Sequence, residues 1–85
     1  MASRVAVMGI VVENTQSIEA LNALLHDWAP YIIGRMGLPY PKRGIHLISL
    51  ALDAPQDRIN ALSGQVGKLP GIWVKTACSA VSFDD

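Results

Sequence analysis

Apolar residues along this chain fall into two kinds of block. Residues 5–12, Val-Ala-Val-Met-Gly-Ile-Val-Val, are apolar without alternation and rich in β-branched side chains. That composition predicts a strand, β1, buried on both faces. Asn14 and Thr15 follow, either of which can cap a helix, and Ile18, Leu21, Leu24, Leu25 and Trp28 then recur at steps of three and four. The spacing predicts an amphipathic helix, α1, ending near Ala29, because Pro30 disfavours helical geometry in the residue before it.

Residues 31–36 predict a short strand, β2. Residues 37–44 hold Gly37, Pro39, Pro41 and Gly44 and predict a turn-rich connection. Residues 45–52, apolar apart from His46 and Ser49, predict β3. Asp53 then offers a cap, Pro55 suits a first turn, and Gln56 completes a spacing like that of a capping box. Ile59, Leu62, Val66 and Leu69 step as a second helix, α2, with Gly67 as its stop. Pro70 and Gly71 make a turn, residues 72–77 predict β4, and residues 79–85 read as a frayed tail.

The order βαββαβ is α+β. It predicts a ferredoxin-like sandwich: a four-stranded antiparallel sheet with two right-handed crossover helices on one face. The strand patterns exceed what two helices can cover. On β1 one face carries Val5, Val7 and Val11, the other Ala6, Met8, Ile10 and Val12. On β3 one face carries Ile45, Leu47 and Ala51, the other Ile48, Leu50 and Leu52. Either the strand assignments are too generous and a sticky monomer results, or identical subunits pack sheet to sheet. The rarity of large exposed apolar patches favours the second.

Composition sharpens this. With 85 residues, 51% hydrophobic and 16% charged, the chain predicts a single packed domain over residues 1–85. A domain this small buries only about 60–65% of its unfolded surface, so it needs added support. Cys78 is the lone cysteine, which excludes an internal disulfide, and no CxxC suggests structural zinc. A homo-oligomer, dimer or tetramer, is the remaining source. Seven basic residues balance seven acidic ones, so no surplus points to nucleic acid. The apolar run of β1 is far shorter than the roughly 20 residues of a membrane helix and lacks a signal-peptide layout. A lone thiol without an export signal fits the cytoplasm.

The densest candidate chemistry lies in residues 31–44. Gly34, Arg35, Gly37, Lys42 and Arg43 could receive a small anionic metabolite, since cations stand beside glycines that expose backbone N–H groups. Tyr31 and Tyr40 could add stacking surface. The same residues could equally serve a hairpin with solvated cations. Glu13 and Asn14, at the turn into α1, are a second candidate pocket, or simply a cap. His26, His46 and Cys78 lie on elements that one subunit is not expected to bring together, because β1 lies between β3 and β4; a symmetric interface could gather them, but no metal site is expected. Ser49, Ser63 and Cys78 lack activating partners, so no catalytic residue and no cofactor is expected. Arg43-Gly44 resembles the start of an RNA-recognition signature, but Ile45-His46-Leu47-Ile48 supplies none of the stacking rings.

Arg4 to Val7, Gly9 to Glu13, Leu24-Leu25-His26, Tyr31-Ile-Ile-Gly-Arg-Met-Gly-Leu-Pro-Tyr40, Asp53-Ala-Pro55, Ala61 to Gly64, Gly67 to Gly71 and Val74-Lys75 together resemble the iron-only hydrogenase system regulator family, over residues 4–79. The resemblance implies an ACT-like domain, also similar to the C-terminal domain of the nickel-responsive regulator. Such domains assemble through their sheets and often take small effectors between subunits. With β1 opening near residue 4, no ribbon-helix-helix DNA-binding segment is expected before it. Together with the open sheet face, the resemblance implies a non-enzymatic, ligand-sensing regulatory oligomer linked to iron-only hydrogenase expression or maturation. A ligand-free scaffold for other proteins is the alternative.

Overall fold

A computed structural model describes residues 2–84. Its elements are β1 (Arg4–Val12), α1 (Ile18–Asp27), β2 (Ile32–Tyr40), β3 (Ile45–Ala54), α2 (Gln56–Gly67) and β4 (Ile72–Cys78). The sheet runs β2-β3-β1-β4 with every neighbouring pair antiparallel. Both helices supply side chains to one core cluster with one face of the sheet. This is the ferredoxin-like α+β arrangement that the pattern predicts.

Strand parity decides what is buried. Ala6, Met8, Ile10 and Val12 of β1 and Ile48, Leu50, Leu52 and Ala54 of β3 point into the core. There they meet Leu21 and Leu25 of α1 and Ile59, Leu62 and Val66 of α2. The alternate residues stand on the far face, where no helix lies over them. β1 therefore is apolar on both faces for two different reasons, and only one face is covered within this chain.

Long-range bonds fix the helix ends. The buried Ser17 donates its hydroxyl to the carbonyl of Pro70 at 2.6 Å, tying the start of α1 to the turn before β4. Trp28 Nε1 donates to Gln65 Oε1 at 3.3 Å, linking the end of α1 to α2. Its ring also packs against Tyr31 at 5.6 Å.

Four local expectations change. First, β2 continues to Tyr40, so Gly37, Leu38 and Pro39 are strand rather than connection. β2 is an edge strand, and Pro39 can sit there because an outward N–H is not needed. The reversal is made by a short 3₁₀ turn, Pro41–Arg43, and Gly44 at φ 66°. Second, Asp53 does not cap α2: it is the exposed penultimate residue of β3, paired across from Val5. Pro55 precedes the helix, with no side-chain cap. β3 runs on because its ladder with β1 extends to Arg4 and Ala54. Third, Asn14 caps a 3₁₀ turn, Thr15–Ser17, by accepting from the Gln16 N–H at 3.0 Å, and α1 starts only afterwards at Ile18. Fourth, the tail folds back: Ser3 and Phe83 exchange two backbone hydrogen bonds of 2.7 Å. Residue 85 of that tail lies outside the described residues.

Candidate functional site

Two surfaces stand out. The first is the uncovered sheet face. The register aligns Val7 with Ala51 and Ala77, Gly9 with Ser49 and Lys75, and Val11 with Leu47 and Trp73. On β2, Met36 lies opposite Ser49 and Leu38 opposite Leu47. Trp73 and Met36 are each 66% exposed and Val7 53%. These side chains form a largely apolar surface, crossed at the level of Gly9 by Ser49 and by Lys75, its one charge near the centre. Gly9 makes a dent in it: with no side chain there, Met36, Leu38 and Leu47 rim an apolar hollow of about 240 Å³.

The second surface is the cleft between α1 and β2. The same parity that places Met36 and Leu38 on the open face turns Arg35, Gly37 and Pro39 toward the helices. Arg35 Nη2 donates to Asn22 Oδ1 of α1 at 2.6 Å. A hollow of about 330 Å³ lies on one side of this bridge, against Leu25, His26, Ala29 and Ile32. A second, of about 220 Å³, lies on the other side and reaches Gly37, Pro39 and His46. Neither Gly34 nor Gly37 has any atom within 4 Å of where a Cβ would stand.

The structure divides the residues expected to hold an anion. Arg35 and Gly37 share the helix-facing cleft. Gly34 belongs to the opposite face, paired with Ala51. Lys42 and Arg43 sit at the hairpin tip, past Tyr40, about 17 Å along the strand from Arg35 at ~3.3 Å per residue. Glu13 and Asn14 are elsewhere, packed on the turn before β4: the Glu13 N–H donates to the Gly71 carbonyl at 2.7 Å. Sequence spacing joins neither His26 nor Asn22 to Arg35, yet both line the same hollow with it, and Asn22 bonds to it directly. Period-two parity in β2 was the available signal, since it separates Arg35 from Gly34. Asn22 itself carries no sequence signal beyond being polar on a helix.

Among the described residues no three of His, Cys, Asp or Glu gather to hold a metal ion. Cys78 is exposed at the end of β4, where Gln56 Nε2 lies 3.6 Å from its sulfur. Among those residues too, no helix is long and apolar enough to cross a membrane.

Comparison with known proteins adds a family. Residues 4–76 match the model of a family with the provisional description TM1266-like, iron-only hydrogenase system regulator. The solved structure of TM1266 from Thermotoga maritima is 34% identical and superposes with a TM-score of 0.86, covering 89% of this chain and 96% of that one. A formyltetrahydrofolate deformylase from Pseudomonas putida KT2440 superposes with a TM-score of 0.62 at 10% identity, over 86% of this chain and 28% of that enzyme. At that identity the likeness is one of fold. No curated protein matches the chain.

Proposed function

Because the chain belongs to the TM1266-like family of iron-only hydrogenase system regulators, we propose that it is a non-enzymatic regulatory module of the cytoplasm that works as a homo-oligomer. In this reading two copies bury their uncovered sheet faces against each other. A small anionic metabolite meeting Arg35 shifts the balance between arrangements of the copies. Its output acts on iron-only hydrogenase expression or maturation.

The observation that carries the reading is the open face itself. Val7, Val11, Met36, Leu38, Leu47 and Trp73 share one uncovered face of the sheet, largely apolar around Ser49 and Lys75, on a molecule too small to hide it. Soluble monomers seldom leave such a patch to water. Isologous packing suits it, since a two-fold axis presents the same patch from both sides. The dent at Gly9 gives a protruding side chain of the second copy somewhere to go.

Sedimentation velocity tests this. The wild-type chain is expected to sediment as a dimer or larger species at micromolar concentration. Val7→Glu is expected to sediment as one copy with an unchanged circular dichroism spectrum. Each copy would bring a carboxylate into the seam, and its desolvation, only partly offset by the diagonal Lys75, costs on the order of 1–3 kcal/mol, about tenfold or more in association. A wild-type chain that stays a single copy at high concentration overturns the reading.

A further inference from the structure

We propose that the larger hollow between α1 and β2 binds a small organic carboxylate that carries an apolar tail and no ammonium group. The inference deepens the reading of the chain as an effector-responsive module and rests on it for its biological meaning.

The charge pattern selects the ligand. Among the described residues, Arg35 is the only permanently charged group lining either hollow, and no Asp or Glu lines them. One guanidinium balances one negative charge, which favours a carboxylate over a dianionic phosphate. A guanidinium also offers a planar fork that matches a carboxylate in two parallel hydrogen bonds. Asn22 Oδ1 accepts only one of its N–H donors. That bond holds the group in place while the others stay free, and the Asn22 amide N–H₂ adds a further donor beside it.

The rest of the lining fixes the tail. Leu25, Ala29 and Ile32 supply the apolar part of the lining, and His26 lines the hollow with them. Its volume of about 330 Å³ sits at the low end of the roughly 300–1,000 Å³ typical of small-molecule sites. This suits a short branched chain. An α-amino acid would bring an ammonium into a hollow that offers no carboxylate to meet it. Its 2-oxo or deaminated counterpart brings the same tail and carboxylate without that charge.

Backbone amide NMR on the full chain tests this, titrating 4-methyl-2-oxopentanoate, L-leucine and inorganic phosphate in parallel. The oxo acid is expected to shift the amides of Asn22, His26 and Arg35 at millimolar concentration, and the other two probes are not. Arg35→Gln is expected to weaken the oxo acid about tenfold or more, because a charge-assisted pair is lost. Asn22→Asp is expected to do the same by placing a carboxylate against Arg35. Both positions are exposed, so native spectra are expected for both variants. Absence of shifts with the oxo acid overturns the proposal, as does unchanged affinity in Arg35→Gln or equal binding of L-leucine or phosphate. Binding without any change in sedimentation sinks the effector role and leaves the site. Assembly without binding sinks the site and leaves the oligomer.

Discussion

At the scale of single residues, two glycines show how the same dihedral angle can have different consequences. Gly44 and Gly71 both have φ near 66°, a region that L side chains rarely adopt. Around Gly44 there is open space, whereas a Cβ at Gly71 would stand 2.5 Å from the Asn14 Cβ. Gly44→Ala is therefore expected to cost about 1 kcal/mol for the left-handed backbone alone. Gly71→Ala is expected to cost roughly 2–4 kcal/mol, because the turn before β4 must also move off Asn14. Urea denaturation checks this, and equal costs at the two sites would remove the packing argument. The sequence marks both glycines as turn residues. It does not say which of them has a neighbour, since the contact spans the distance from the first turn to the last.

At the scale of elements, the strands were legible where burial decides and misleading where only local chemistry speaks. β1 and β3 follow from their apolar runs, and parity along them sorts core from open face. β2 is read too short, because Gly37 and Pro39 carry turn propensity that an edge position tolerates. Asp53 is read as a cap, although the ladder between β1 and β3 holds it in a strand. Parity makes a prediction of its own. In the Val7→Glu background, where association does not intervene, Leu50→Ala is expected to cost about 2–5 kcal/mol by opening a core cavity. Leu47→Ala, three residues earlier and on the open face, is expected to cost under ~1 kcal/mol. Chemical denaturation of the pair checks this, and similar losses would mean that the face assignment is wrong. The cleft around Arg35 was half legible: the cation was visible, but its partner Asn22 lies on a different element.

At the scale of the whole molecule, the apolar excess was legible from composition and strand pattern together, because no arrangement of two helices covers both faces of one sheet. What a ligand would be was not legible, since that depends on which charges the fold leaves out of a hollow. If copies cover each other, unfolding is coupled to dissociation. The melting temperature of the wild-type chain is then expected to rise by several degrees over a hundredfold increase in concentration, while that of Val7→Glu stays flat. Differential scanning calorimetry at two concentrations checks this.

The two borders of the sheet are unlike, and that has an outcome of its own. Along β2 the ladder is broken by a shift in register between Ile32 and Gly34, and Pro39 lacks a donor. Such a border is a poor template for another strand. Only the β4 border is left to recruit a neighbour, and two such borders meeting about a two-fold axis use each other up. Edge-to-edge growth alone then halts after one addition, so pairing through the borders of this sheet is expected to stop at a ribbon of two.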